Sequence, residues 1–294
     1  MWRINSHKFA VIWIILLLIL SGVAGFTMYA GRQVLVLTDP IWQSLHLGDR
    51  ESIRDLSVDL LRKRYFLKLE QLSIDFSEKE IKRRIEESGA GILFLSPAPS
   101  ALFLSSGLAA EYPDKTFFVF DLQSSYEMND GANLIKLSFG KDQLVMSLRE
   151  ICTQLQENER LPENPVILWS GTSYIGKESI EEASEVLDSY LKTGRATLIS
   201  SLYTVNGMNL NRDSFLFFLP GFGLQNRELL DKLSKRGGRA VLMGKEESMD
   251  AWPGTVVSVI SIDLHRLIQK ALGIVAERPG TVNINIPFKV RLGE

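Results

Sequence analysis

Asp39 and Trp42 stand three residues apart, where they can offer one ligand an acceptor and a stacking surface. The same residues have a structural use, in which Asp39 closes a turn with Pro40 and Trp42 packs the segment onto its own lobe. Asp121 follows the apolar run Thr116-Phe117-Phe118-Val119-Phe120, and its carboxylate can accept the paired hydroxyl hydrogen bonds of a polyol. Its competing use is closure of the loop that follows. Ser96 opens Ser96-Pro97-Ala98-Pro99 and can donate to a ligand, or simply begin a stiff proline turn into a helix. In Pro220-Gly221-Phe222-Gly223, Gly221 lets backbone N–H groups approach a ligand at a helix N-terminus while Phe222 stacks on it. A tight turn with a core phenylalanine is the alternative.

The segment Gly171-Thr172-Ser173-Tyr174-Ile175-Gly176-Lys177-Glu178-Ser179 is one residue away from a phosphate-binding loop. Glu178 occupies the place of the hydroxyl that would hold magnesium, so nucleotide hydrolysis is not expected; Tyr174 or Lys177 instead can touch a ligand from a strand–helix loop. The three histidines are His7, His46 and His265, and the one cysteine is Cys152. They have no metal-ligand spacing, and no serine sits in a nucleophile elbow. No catalytic residue, metal or cofactor is therefore expected.

These residues need strand ends to position them. Short Ile/Leu/Val/Phe runs recur at 34–37, 92–95, 116–120, 166–169, 215–219, 240–243 and 256–262, and helical patterns lie between most of them. Alternation of this kind predicts an α/β chain with mostly parallel sheets covered by helices on both faces. Open α/β sheets bind ligands beyond the carboxyl ends of their strands, which is where Asp39, Ser96, Asp121, Tyr174, Gly221 and Phe222 fall. A helix is expected from 97 through about 110, and one alternating strand over 282–290.

The 294 residues carry 33 basic and 35 acidic side chains, a net charge of -2 that gives no electrostatic reason for a nucleic-acid partner. Residues 9–31 contain no charge and follow Arg3 and Lys8, a stretch long enough for a transmembrane helix. An uncleaved signal anchor is expected, with a cleaved signal peptide as the other reading; either exports the rest of the chain. The basic residues before the span place the body extracytoplasmic, on the periplasmic side of the inner membrane.

The order of elements resembles the type I periplasmic binding protein fold, and more narrowly the basic membrane protein family of nucleoside-type solute receptors. The local matches are Tyr112-Pro113-Asp114 before Phe117-Phe118-Val119-Phe120-Asp121, Asn133-Leu134-Ile135 with Leu137-Ser138-Phe139, Leu219-Pro220-Gly221-Phe222-Gly223, and Val256-Val257-Ser258-Val259-Ile260 with Asp263. The resemblance implies two Rossmann-like lobes on a multi-segment hinge, preceded by an anchor at 1–32. Lobe 1 takes 33–138 plus 254–280, lobe 2 takes 139–253, and 281–294 is a C-terminal strand near the hinge. It implies an extracytoplasmic solute-binding protein, not an enzyme, that closes on a small polar, nucleoside-like ligand for an ABC-type permease or a membrane receptor. Leu242-Met243-Gly244-Lys245 stands where that family carries an acid, which leaves open a ligand-independent interaction or sensory module on the same fold.

Overall fold

The computed structural model describes residues 13–22, 25, 32–40, 42–43, 50–120, 133–139, 141–158, 165–168, 177–191, 196–199, 207–218, 225–245, 248–277 and 283–293. The first sheet is built from β1 (Gln33–Thr38), β2 (Phe66–Gln71), β3 (Ile92–Leu95), β4 (Thr116–Phe120) and β5 (Leu134–Ser138), with helices α1 (Arg50–Arg62), α2 (Glu78–Ser88) and α3 (Pro97–Ser105) between them. After α4 (Lys141–Glu157) the second sheet begins, with β6 (Val166–Leu168), α5 (Lys177–Tyr190), β7 (Thr197–Ile199), β8 (Phe215–Phe218), α6 (Gln225–Lys235), β9 (Arg239–Met243), α7 (Ser248–Ala251) and β10 (Val256–Ile262). The chain ends with α8 (Leu264–Glu277), β11 (Asn283–Asn285) and β12 (Phe288–Leu292).

Among the described residues each sheet has six strands, in the orders β11-β5-β4-β3-β1-β2 and β12-β10-β9-β8-β6-β7. All pairings are parallel except β12 against β10, which is antiparallel. Side chains alternate between faces along a strand, and here both faces are apolar. Val34 and Val36 of β1 join Leu56, Leu60 and Leu267 on one side, whereas Leu35 and Leu37 join Ile81, Ile85 and Phe103 on the other. Phe94 and Phe118 stack at 4.4 Å across β3 and β4. The edge strand β2 instead carries Lys68 and Glu70, which pair with each other; Glu70 also meets Arg84 of α2 at 3.3 Å. Charge at an edge also discourages further strand pairing.

The second sheet follows the same logic. Phe217, Val241 and Ile260 pack with Leu148 and Ile151 of α4, while Leu216, Ala240 and Val259 pack with Leu229 and Leu233 of α6.

The stretch 254–280 is divided between the lobes. β10 pairs with β9 in the second sheet, and only after Asp263 does the chain return, when Leu267, Ile268 and Ala271 of α8 bury themselves in the first lobe. The C-terminal strand expected over 282–290 is two strands. β11 extends the first sheet beside β5 and β12 extends the second beside β10, with Ile286-Pro287 crossing between them. Proline lacks an N–H for a ladder, so the change of sheet falls there. The helix expected through 110 also breaks: α3 stops at Ser105, Gly107 takes a φ of 67°, and a short 3-10 helix covers Leu108–Glu111.

Among the described residues no helix is long and apolar enough to cross a membrane, so the expected transmembrane helix lacks support. Of 9–31, residues 13–22 and 25 are described and helical. Their large apolar side chains, from Trp13 to Leu20, are all exposed.

Candidate functional site

The chain crosses between lobes after the carboxyl ends of β5, β10 and β11. The carboxyl edge of each sheet is therefore the edge turned toward the other lobe, which is where a doubly wound fold places ligands. Aromatic rings line this junction. Phe139, just past β5, lies 5.4 Å from Phe120 at the end of β4 and 5.9 Å from Phe288 at the start of β12. It packs against the cores of both lobes.

At the carboxyl end of β1, Asp39 is turned into the first lobe and is 6% exposed. Its Oδ1 accepts the Trp42 N–H at 2.9 Å, and its backbone carbonyl accepts the Gln43 N–H at 3.0 Å. This is N-cap chemistry for the helical turn at 40 and 42–43, with Pro40 in the first position where a missing N–H costs nothing. Ser96, at the end of neighbouring β3, donates its hydroxyl to Asp39 Oδ2 at 2.7 Å and accepts the Asp39 N–H at 3.0 Å. Its own N–H donates to the Leu37 carbonyl, prolonging the β1–β3 ladder. Trp42 is 5% exposed, meets Phe120 edge-on at 5.9 Å, and belongs to the core of α1 and α8.

Asp39, Trp42 and Ser96 are thus brought together, and they face inward. Both carboxylate oxygens of Asp39 bond to the chain, which fixes the strand ends around which a ligand loop must be built. Asp121, Tyr174, Gly221 and Phe222 lie outside the described residues. They follow β4, β6 and β8, so all four come after carboxyl strand ends, as do the phosphate-loop-like residues before Lys177.

Three further groups at these edges were not among the expected ligand contacts, although Ser138 and Asp263 belong to the local family matches. Ser100, buried on α3, donates to the Leu95 carbonyl at 3.0 Å and accepts the Phe120 N–H at 2.9 Å. It fixes the last residue of β4, next to Asp121. Ser138 donates to Asn285 Oδ1 at 3.0 Å, joining the ends of β5 and β11 on an exposed rim. Asp263 caps α8 through the Arg266 N–H at 2.9 Å, and its own N–H bonds to the Pro287 carbonyl, tying two crossings together. Ser100 lies three residues past Pro97, within reach of the strand it leaves, but local pattern does not show which strand end it will hold.

His265, in the first turn of α8, faces Asp59 of α1 with Nε2 2.9 Å from Asp59 Oδ2, so it joins two helices of the first lobe. Cys152 is buried in the second lobe, and burial pushes its thiol up to about 12. Among the described residues no group of three His, Cys, Asp or Glu side chains could hold a metal.

No family model matches the chain, and no curated protein matches its sequence. Solved structures do match. A LacI transcriptional regulator from a Rhodococcus species aligns with a TM-score of 0.61 at 12% identity, covering 89% of this chain and 97% of the other. An ABC transporter solute-binding protein from Conexibacter woesei aligns at 0.59 and 10% identity, over 89% and 88%. The Caulobacter myo-inositol binding protein, solved with myo-inositol bound, aligns at 0.53 and 10% identity, over 89% and 93%. These likenesses carry the fold: two mostly parallel α/β sheets in a type I periplasmic-binding-protein-like arrangement, shared with solute-binding and regulatory proteins.

Proposed function

We propose that this chain is a membrane-tethered, extracytoplasmic solute-binding protein that closes two lobes on a small polar ligand and offers it to an ABC-type permease or a membrane receptor. The observation that supports this reading is the pair of parallel sheets whose carboxyl edges turn toward each other across three chain crossings. Asp121, Tyr174, Gly221 and Phe222 follow strands that end at those edges and would contact the ligand, with Asp121 accepting hydroxyl hydrogen bonds and Phe222 stacking on a ring. A nucleoside-like compound, as in the basic membrane protein family, has both features. The exposed apolar side chains at 13–20 and the uncharged stretch around them support the tether. Tethering raises the effective concentration beside a membrane partner without adding a contact.

One observation favours a second reading, a ligand-independent interaction or sensory module. Both oxygens of Asp39 accept a hydrogen bond within the first lobe and the residue is buried, which favours a structural use for this acid over a ligand clamp.

A thermal-shift screen of the full chain in detergent, against nucleosides, sugars, polyols and amino acids, separates the two. A ligand at 100 times its Kd stabilises the folded state by about 2.7 kcal/mol. The receptor reading expects one compound class to raise the melting temperature in wild type and not in Asp121→Ala. A melt unmoved by every class would favour the module.

A further inference from the structure

The uncharged stretch 9–31 ends at Arg32, and β1 begins one residue later at Gln33. The tether therefore enters the first lobe at the amino ends of its strands, the pole opposite the interlobe edge. α1 runs back against β1 and delivers its carboxyl end to that same pole, because β2 starts in register with β1, Phe66 beside Gln33. The Phe66 N–H donates to the Arg32 carbonyl at 3.2 Å, so one hydrogen bond joins the foot of the tether to the turn that closes α1.

That turn is basic. Arg62, Lys63 and Arg64 follow one another and are exposed, beside exposed Leu61. Asp59 answers Arg62 at 3.1 Å, whereas Lys63 and Arg64 have no ion pair among the described residues. A helix favours a cation in its last turn, which accounts for Arg62. It does not account for Arg64. The Tyr65 N–H bonds the Leu60 carbonyl at 2.8 Å and the Arg64 N–H bonds the Leu61 carbonyl at 2.9 Å, the paired bonds of a Schellman turn, whose left-handed position usually takes glycine. α2 ends in that way, with Gly89 at a φ of 63°. Arg64 holds the corresponding place in α1 at a φ of 64°, the one positive φ outside glycine among the described residues. Glu87 and Asp114 stand at the β3 and β4 side of the same pole, so the positive charge gathers at the β1–β2 corner, where the tether enters.

From this arrangement we infer that the β1–β2 corner is a membrane-docking surface: Arg32, Lys63 and Arg64 rest on the phosphates of anionic lipid headgroups and Leu61 enters the interface, so that the first lobe is held against the bilayer instead of swinging on its tether. The inference rests on the tether proposed above. Each basic residue close to an anionic surface raises surface partition about fivefold, within a screening length of about 8–10 Å. Because the tether already holds the corner at the membrane, a few such residues suffice.

The test uses the full chain in nanodiscs of phosphatidylcholine alone or mixed equally with phosphatidylglycerol. A fluorophore on Val58→Cys, exposed one turn before Arg62 on α1, in a Cys152→Ala background, reports the approach of this corner to headgroup-spin-labelled lipid by its quenching. Quenching should be stronger in the anionic discs and fall to the neutral-disc level in about 1 M salt, where the screening length is about 3 Å. Lys63→Gln with Arg64→Gln should lower the ratio of docked to undocked lobe roughly 30-fold. Lys235→Gln with Arg236→Gln, an equal loss of exposed charge in the second lobe, should leave it unchanged. Arg64→Gly alone should lower it about fivefold while keeping or raising the melting temperature, since glycine suits the left-handed position; it separates lost lipid contact from lost fold. Chains that enter the discs yet are quenched equally in both lipids overturn this inference and leave the tether standing, as does quenching that survives loss of Lys63 and Arg64 or falls as far with the second-lobe pair. Chains that fail to enter the discs overturn the tether and the inference with it.

Discussion

Ser96 and Asp39, 57 residues apart in the chain, exchange two hydrogen bonds in the buried edge of the first sheet, hydroxyl to carboxylate and backbone N–H to hydroxyl. The exchange locks the ends of β1 and β3 together and spends an acid that sequence pattern offers to a ligand. Ser96→Ala leaves a buried carboxylate oxygen without its donor and should cost about 1–3 kcal/mol. Asp39→Ala removes the same pair and the cap on the turn, and the double variant should cost less than the sum of the singles, as residues in direct contact do. Urea unfolding of the four proteins measures this.

Ser100 holds Phe120, and through it the position from which Asp121 begins. Ser100→Ala orphans a buried N–H and should destabilise by about 1–3 kcal/mol. As a positioning residue it should also weaken ligand affinity beyond what its stability loss explains, whereas Ser100→Thr, which keeps the hydroxyl, should restore part of it. Titration of any ligand found in the screen, below the melting transition of each variant, reads this out.

Phe139 is packed between Phe120 of one lobe and Phe288 of the other. Its replacement by alanine should cost less than the about 3–5 kcal/mol of a fully buried phenylalanine, because the ring is only half-buried. The sharper expectation is looser coupling of the lobes. Tryptophan-detected and circular-dichroism-detected unfolding should part company in Phe139→Ala more than they do in wild type.

Much of the layered core could be read from residue types alone. β1, β3 and β4 are uninterrupted apolar runs because helices cover both faces of the first sheet, and the Lys68 and Glu70 alternation marks β2 as an edge. The last strands could not be read so. The alternation through Asn283, Asn285 and Pro287 looks continuous, yet Ile284 and Ile286 serve the first core while Phe288 packs against both. A local pattern has no term for which sheet a residue will join. The same limit applies to Asp39: an acid after a strand has equal local reason to cap a turn or to meet a ligand, and its contact with Ser96, 57 residues away, has no local signal.

Cys152 lies in the second core with its thiol pushed up from an ordinary 9.0 to about 12. Burial favours the neutral thiol in the folded state, so the unfolded chain deprotonates first. The resulting contribution to stability is complete below about pH 9, the ordinary thiol value, and declines as pH rises toward the folded value of about 12. Wild type should therefore lose more stability than Cys152→Ala between neutral and strongly alkaline pH. Because the thiolate is the nucleophile, a thiol reagent should label the native protein only on unfolding.

Calorimetric titration of the compound that raises the melting temperature most, into wild type and Asp121→Ala, tests the solute-binding account most directly. One molecule bound per chain, with affinity about tenfold or more weaker in the variant through loss of the charged acceptor, is the predicted result. No saturable heat from any compound class, or equal affinity in the two proteins, would contradict it.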